Sequence, residues 1–122
     1  MSYLLVFAGG GLGSLCRFGL DKWLNPGVES DAMPWGTLAA NTLACLVLGA
    51  GFALLIENRL PDEWRLLALT GFCGGFSTFS TFSLELLEIG LSSGKPATAL
   101  FYLLLSLVGG VLAIWLGRSI IT

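Results

Sequence analysis

The 122-residue sequence contains no histidine, and only 11% of its residues are Asp, Glu, Lys or Arg. Histidine is the commonest general base and the commonest transition-metal ligand, so its absence removes the simplest route to catalysis or to a metal site. A soluble domain usually has about 25% charged residues. The six basic and eight acidic side chains of this chain are too few to coat a soluble domain, and they form no basic patch for nucleic acid.

Cysteine is also scarce. Cys16, Cys45 and Cys73 stand singly in apolar segments, and their spacing contains no Cys-x-x-Cys pair. An odd count without such a pair does not indicate a disulfide framework or a zinc site. We expect three small, buried, reduced thiols.

Long apolar runs take up most of the chain. Apolar residues make up 55% of it, there are 17 glycines, and the mean hydropathy is +0.84. A membrane-spanning helix needs about 20 predominantly apolar residues, and turn-forming sequences at residues 25–27, near Pro61 and at residues 92–96 separate four such runs. The sequence therefore predicts an all-α membrane protein in which residues 1–122 form one four-helix transmembrane domain. We place the spans at about residues 3–24, 35–56, 63–90 and 97–116.

The first span has no basic residue at its start and no obvious cleavage site. We therefore expect a permanent span rather than a signal peptide. The segment Val28–Met33, which contains Glu29, Ser30 and Asp31, is predicted to be the loop between the first two spans.

Lysine and arginine are divided almost equally between the two sides of the predicted membrane. The side of the termini holds Arg59, Arg65 and Arg118, and the other side holds Lys22 and Lys95, joined by Arg17 if it snorkels outward. An excess of these residues on the cytoplasmic side normally fixes the orientation. Two hypotheses stay open: copies insert both ways and pair as an antiparallel dimer, or one orientation wins for a reason that the sequence does not show.

Small residues recur at four-residue spacing. The pairs and triplet are Gly9 and Gly13, Gly10 and Ser14, Gly71 and Gly75, and Gly109, Ala113 and Gly117. This spacing places small residues on one helix face, where they let two helices approach closely in lipid. We interpret them as packing positions, because Ser14 replaces the third glycine of a dinucleotide-binding fingerprint and no strand precedes it.

The least typical segment is Gly71–Ser83, which reads GFCGGFSTFSTFS. Three glycines within five residues and then five hydroxyl residues within seven are poor material for a continuous helix. The sequence therefore predicts a helix break near Gly74–Thr78. Unwound backbone at membrane depth is tolerated only where it is buried in protein or lines a cavity, and its carbonyls can hold a cation there.

The phenylalanines of this segment stand at positions 72, 76, 79 and 82. This spacing predicts a single aromatic stripe on one helix face, which most often means core packing. Here Ser80 and Thr81 lie between the last two rings, so hydroxyl groups and positive ring edges follow the same track. Such a track suits a small anion that must enter and leave easily, because it holds no fixed positive charge.

Other polar side chains interrupt the remaining spans. Asn41 lies well inside the second span, and Thr37 lies one turn earlier on the same face. Tyr102 and Ser106 are four residues apart and share a face of the fourth span. Polar residues at membrane depth are functional candidates by default. The alternative for each is hydrogen bonding between helices.

Glu85 and Glu88 stand near the end of the third span. They are candidates to cap a vestibule or to pair with Arg17 or Lys95. The alternative, a solvated helix end, stays open.

Together these residues resemble the fluoride channel family known as Fluc or CrcB. The resemblance covers nearly the whole chain and includes residues 10–14 with Arg17, residues 36–38 with Asn41, and Gly71–Ser83. It implies an antiparallel dual-topology homodimer whose two pores export fluoride passively. It also implies a multi-pass protein of the bacterial plasma (inner) membrane that is a channel rather than an enzyme.

The resemblance implies roles for individual residues. Asn41 would line the pore as a donor, and Phe79 and Phe82 would supply the ring edges. The remaining pore residues would be Thr37, Ser80, Thr81, Tyr102 and Ser106.

The resemblance further implies a structural sodium ion at the dimer centre, bound by main-chain carbonyls of Gly74 and Ser77 from both subunits. The family commonly has Thr at the position of Ser77. That departure is mild, because either residue offers the same carbonyl. Arg17 would be structural or would lie at a vestibule.

Two other classes stay open. A small dual-topology multidrug exporter has a similar size, but it would need an acid buried in the first span, where this chain has Arg17 and no acid before Asp21. A non-transporting assembly subunit would use the glycines and polar residues for packing alone. An enzyme is least favoured, because the sequence shows no base, nucleophile pair or cofactor motif.

Overall fold

The computed structural model describes residues 1–27 and 32–122. Every regular element within these two ranges is helical, so the all-α prediction is confirmed. Val28 and the predicted loop residues Glu29, Ser30 and Asp31 lie outside the described residues.

Among the described residues, three helices are long and apolar enough to cross a membrane. They are α1 (Ser2–Leu24), α2 (Trp35–Ile56) and α4 (Pro96–Ile121). Helix α4 begins with Pro96 in its first turn, where proline loses no hydrogen bond. It continues past residue 116, at which the fourth span was predicted to end.

The region between α2 and α4 forms two shorter helices, α3a (residues 62–76) and α3b (residues 79–92). Helix α3a begins after Pro61 with two acidic residues in its first turn, which complement the positive end of the helix dipole. Both helices contain wider π-helical turns, at Arg65–Cys73 and at Glu88–Ser92. Such turns are rare and often occur at functional sites.

Glycines bring α1 and α3a into backbone contact. A Cβ atom on Gly9 would overlap the carbonyl oxygen of Leu67, and one on Gly13 would overlap that of Phe72. From the other side, a Cβ on Gly75 would overlap the α1 backbone. The predicted small-residue packing is confirmed for this helix pair.

Helices α2 and α4 approach each other in the same way. A Cβ on Gly49 would overlap the carbonyl oxygen of Ile114, and one on Gly117 would overlap that of Leu46. The packing prediction therefore holds for Gly117. At Gly109 a Cβ would meet no atom of the described residues within 4 Å, so this glycine makes no close helix contact with them and its role in packing stays a prediction.

The outward surface of the bundle is apolar. Tyr3 is 92% exposed, and Phe7, Trp23 and Val111 are also strongly exposed, whereas Thr37 is a buried polar residue. A soluble monomer rarely exposes so much contiguous apolar surface. The distribution is the one expected of helices that face lipid.

The three cysteines are free thiols. Cys73 is buried and Cys45 is half-buried, as expected for small apolar residues. The prediction of burial is wrong for Cys16, which is exposed on α1.

The buried residues of α3a and α3b fall into two clusters. Phe76 of α3a packs with Ala40 and Ala44 of α2. In the second cluster, Phe82 of α3b packs with Tyr102 of α4. The two clusters hold α3a and α3b against the longer helices on either side of residues 77 and 78.

Candidate functional site

The backbone is extended between α3a and α3b. Ser77 has φ −81° and ψ 157°, and Thr78 has φ −151° and ψ 123°. The C-terminal end of α3a and the N-terminal end of α3b therefore both meet this two-residue segment. The last carbonyls and the first N–H groups of such helix ends have no partner within their own helix and need one elsewhere.

Asn41 of α2 supplies hydrogen-bond partners for Thr78 in this segment. Its Nδ2 donates to the Thr78 carbonyl oxygen at 3.1 Å, and the Thr78 N–H donates to its Oδ1 at 2.7 Å. Hydrogen bonding to a neighbouring helix, the alternative left open for Asn41, is therefore observed, because Thr78 is the residue before α3b. A primary amide carries two N–H donors, so the second remains for a further acceptor.

Hydroxyl groups shape both helix ends. Thr78 Oγ1 accepts the Thr81 N–H at 3.2 Å and so caps α3b. Ser80 Oγ lies 3.4 Å from Thr78 Oγ1 and is exposed. At the other end, Ser77 Oγ donates to the Cys73 carbonyl oxygen at 2.7 Å. These residues hold the extended segment in place.

The prediction of a single aromatic stripe is wrong, because residues 77 and 78 interrupt the helix that such a stripe requires. The rings form two pairs instead. Phe72 and Phe76 stack with centroids 5.4 Å apart, and Phe79 lies 6.2 Å from Phe82. Phe82 is buried, whereas Phe79 is 80% exposed.

A cavity of about 260 Å³ lies beside the extended segment. Within residues 1–27 and 32–122 it is lined by uncharged residues: Asn41, Cys45, Ser77, Thr78, Phe79, Phe82, Ser106, Leu107 and Gly110. Four of the predicted pore residues, Asn41, Phe79, Phe82 and Ser106, are therefore brought together. The other four, Thr37, Ser80, Thr81 and Tyr102, are not part of this lining.

Sequence reasoning missed several residues of the cavity wall. Cys45 lies one helical turn beyond Asn41, and Gly110 lies one turn beyond Ser106, so helical spacing was the signal that pointed to both. A Cβ on Gly110 would lie 3.5 Å from Cys45 Sγ, which shows that these two positions face each other. No sequence pattern indicates Leu107 as a lining residue, apart from its position next to Ser106.

Ser106 contributes an uncommitted hydroxyl. Its Oγ is buried and has no hydrogen-bond partner among the described residues. A buried hydroxyl without a partner is costly. An acceptor that entered the cavity would remove that cost.

Thr37, Glu85 and Tyr102 form a second polar cluster. Thr37 Oγ1 donates to Glu85 Oε1 and Tyr102 Oη donates to Glu85 Oε2, both at 2.6 Å. Tyr102 is fully buried and meets the Phe82 ring edge-on, with centroids 5.1 Å apart. Phe82 thus connects this cluster to the cavity.

The sequence predicts Glu85 as a vestibule cap, as an ion-pair partner or as part of a solvated helix end, and none of these includes its bonds to Thr37 and Tyr102. The sequence does mark Glu85 as a candidate functional residue, because an acid within an apolar helix is costly to bury. Arg17, one of the proposed partners, donates its Nε to the Gly75 carbonyl oxygen at 3.2 Å instead. Ser14 Oγ lies 3.4 Å from the same oxygen. Arg17 therefore binds the last turn of α3a.

The main-chain carbonyl of Gly74 lies in the last turn of α3a. Gly74 is exposed, and a Cβ there would meet no atom of the described residues within 4 Å. The Thr78 N–H, which would close the next helical turn onto the Gly74 carbonyl, is donated to Asn41. The described residues contain no group of three or more His, Cys, Asp or Glu side chains that could hold a metal ion. A cation here would depend on main-chain carbonyls.

The cavity combines amide and hydroxyl donors with aromatic rings, and none of its lining residues in the described part of the chain is charged. Ring edges and polarised N–H and O–H groups attract negative charge. A wall of this kind can replace part of the water around a small anion without holding the anion tightly.

Comparison with known proteins identifies one family. The model of the family described as "CrcB-like protein, Camphor Resistance (CrcB)" matches residues 4–118. A protein of Leptospira interrogans named "Fluoride-specific ion channel FluC" is 43% identical over 113 residues, which cover 90% of this chain and 86% of that protein.

Two further relatives carry the same name. The protein of Klebsiella pneumoniae is 45% identical over 118 residues, covering 91% of this chain and 89% of the relative. The protein of Escherichia fergusonii is 42% identical over 118 residues, covering 93% and 91%. The residues matched by the family model, 4–118, begin within α1 and end within α4.

Proposed function

The chain belongs to the CrcB-like family, and we propose that it is a fluoride-selective ion channel that exports fluoride passively and lowers cytoplasmic fluoride. Relatives at 42–45% identity are named fluoride-specific ion channels. The observation that carries the proposal is the uncharged cavity beside residues 77 and 78, where Asn41, Ser106 and two phenylalanine rings converge. A channel of this kind is not an enzyme.

Ion conduction explains why the described lining residues of the cavity are uncharged. A fixed Lys or Arg would hold fluoride in a deep well, and conduction needs both entry and exit to be easy. The remaining Asn41 N–H and the uncommitted Ser106 hydroxyl are donors for the ion. The edges of Phe79 and Phe82 carry partial positive charge.

We place α3a and α3b in the membrane as one interrupted span. At a rise of about 1.5 Å per residue, each is only about 22 Å long, too short alone to cross a hydrocarbon core of about 30 Å. Joined through residues 77 and 78 they are long enough. The extended segment is then a break within the third span, and its position beside a cavity satisfies the rule for unwound backbone at that depth.

The functional unit in this proposal is an antiparallel dual-topology homodimer. The near-equal distribution of Lys and Arg gives no strong orientation signal. Phe79 lines the cavity and is nevertheless 80% exposed, so a second copy is needed to enclose the cavity. A reporter fused to the C-terminus should then be found on both sides of the membrane, and a single-sided result would remove the dual topology.

A structural sodium ion at the dimer centre fits the end of α3a. The carbonyls of Gly74 and Ser77 from both subunits would hold it, and oxygen ligands suit hard cations. The open space at Gly74 leaves room for the partner copy. A buried cation there would raise the electrostatic potential for anions nearby.

The setting of this function is the bacterial plasma (inner) membrane, with several passes of the chain. A direct test is growth in medium that contains fluoride, using bacteria without a fluoride exporter of their own. Expression of this chain should restore growth and lower intracellular fluoride. If the wild-type chain is present in the membrane and growth is not restored, the proposal is contradicted. Rescue by the wild type and not by Asn41→Asp would support the cavity as the pathway.

A further inference from the structure

The end of α1 is fastened to the start of α2 by one side chain. Asn25 is the residue that follows the last residue of α1, and its own N–H donates to the Asp21 carbonyl oxygen at 2.8 Å. Its side chain reaches α2. Asn25 Oδ1 accepts the Gly36 N–H at 2.7 Å, and Nδ2 donates to the Met33 carbonyl oxygen at 3.3 Å.

This contact replaces a local helix cap. The residue before α2 is Pro34, and no side chain of the α2 N-terminus caps the helix. The first N–H groups of a helix need an acceptor from outside the helix. Asn25, from the preceding helix, supplies one for Gly36.

Gly36 is needed for the contact. It is buried, and a Cβ there would lie 2.6 Å from Asp21 Cα and 3.1 Å from Asn25 Oδ1. A distance of 2.6 Å to a backbone atom cannot be relieved by a side-chain rotation. The last turn of α1 therefore rests directly on the first turn of α2.

The next residue after Gly36 belongs to the polar cluster described above. Thr37 donates to Glu85 at 2.6 Å, and Glu85 accepts Tyr102 at the same distance. Bonds this short tolerate little displacement of α2. Tyr102 in turn supports Phe82 at the cavity wall.

We propose that Asn25 is a positioning residue of the channel, which fixes the start of α2 so that the Thr37 hydroxyl stays on Glu85. This inference rests on the proposed function. Asn25 does not line the cavity and acts only through Thr37. Its removal should slow fluoride flux roughly fivefold, the size of effect that loss of a helix cap produces on a local equilibrium.

A double-mutant cycle in liposomes tests the route of the effect. Fluoride efflux is measured for the wild type, Asn25→Ala, Thr37→Val and the double variant. If Asn25 acts through Thr37, Asn25→Ala slows the wild type and changes the Thr37→Val background little. Equal losses in both backgrounds would overturn the proposal, because a merely structural effect would be additive.

Amide hydrogen exchange gives a readout that does not depend on flux. The peptide that begins α2 should exchange faster in Asn25→Ala than in the wild type. Asn25→Asp keeps the acceptor for the Gly36 N–H and should keep slow exchange. Unchanged exchange in Asn25→Ala would also overturn the proposal.

Two further arms separate the possible failures. Asn58→Gly changes another loop asparagine, whose φ of 54° glycine accepts easily, and should leave flux unchanged. If Asn25→Ala does not fold, Asn25→Leu, which has a similar size and no acceptor for the Gly36 N–H, takes its place. If the wild type conducts fluoride and Asn25→Ala conducts it equally fast, this inference alone is refuted. If the wild type conducts no fluoride, the proposed function is refuted.

Discussion

Asn41 and Thr78 are joined by two hydrogen bonds, of 3.1 Å and 2.7 Å, that run in opposite directions between a side-chain amide and a backbone. The Asn41 side chain satisfies both backbone polar groups of Thr78, as a neighbouring strand does for a residue in a β-sheet. It allows two residues of unwound backbone to lie beside a cavity without leaving their polar groups unpaired. The same amide keeps one N–H for an ion.

Replacing Asn41 tests both uses of the amide. In Asn41→Asp the carboxylate has no N–H to donate to Thr78, and its negative charge repels an anion. We expect fluoride efflux to fall by about tenfold or more, as when a buried hydrogen-bond partner is lost. Efflux from liposomes measures this. Thr42→Ser, at the half-buried neighbouring position, is the control, and wild-type efflux from Asn41→Asp would rule out Asn41 as a pore residue.

Phe82 is the ring that lies between the cavity and the Tyr102–Glu85 cluster. Phe82→Ile keeps an apolar side chain and removes the ring edge, so conduction should slow several-fold while the dimer survives. Fluoride efflux and size-exclusion chromatography of the same sample separate the two effects. Phe101→Ile changes an exposed ring of α4 and should conduct normally. Normal flux from Phe82→Ile would move the pathway elsewhere.

Tyr102→Phe removes one of the two donors to Glu85 and leaves the ring in place. The half-buried carboxyl group of Glu85 then loses one of its two hydrogen bonds, which should lower the free energy of unfolding by about 1 kcal/mol. The melting temperature in detergent reports the loss. Tyr3→Phe, at a 92% exposed position, should melt as the wild type does. An unchanged melting temperature for Tyr102→Phe would show that the 2.6 Å bond contributes nothing.

Gly13 tests the packing of α1 against α3a. In Gly13→Val the new side chain would overlap the Phe72 carbonyl and the Phe76 amide, so α1 would have to move away. We expect a loss of at least about 1–3 kcal/mol of stability and little monodisperse protein. Gly11→Val is the control, because a Cβ on Gly11 of the same helix would meet none of the atoms that the structure describes within 4 Å. Equal yields from the two variants would contradict the close contact.

Local sequence patterns were sufficient to predict the helical class and the glycine contacts. Apolar runs bounded by Pro and Gly indicate where helices lie, and the four-residue glycine spacing identified Gly9, Gly13 and Gly75 as backbone contacts. These features depend on residues that are close in sequence or repeat along one helix. The exposed Cys16 was mispredicted because burial depends on which face of α1 meets another helix.

The candidate site was predicted in part. Asn41, Phe79, Phe82 and Ser106 were named and do line one cavity. The bonds from Thr37 and Tyr102 to Glu85 join residues 48 and 17 positions apart, and no local pattern encodes such a pairing. The prediction of a single aromatic stripe is wrong because it assumes helical spacing across residues 77 and 78, where the backbone is extended.

Fluoride efflux from liposomes that hold the purified wild-type protein tests the central claim most directly. A fluoride electrode follows the release, and the measurement is repeated with chloride. A selective passive channel predicts rapid fluoride release and no chloride release under the same ion gradient. Well-folded protein that releases no fluoride, or releases both ions equally, would contradict the account.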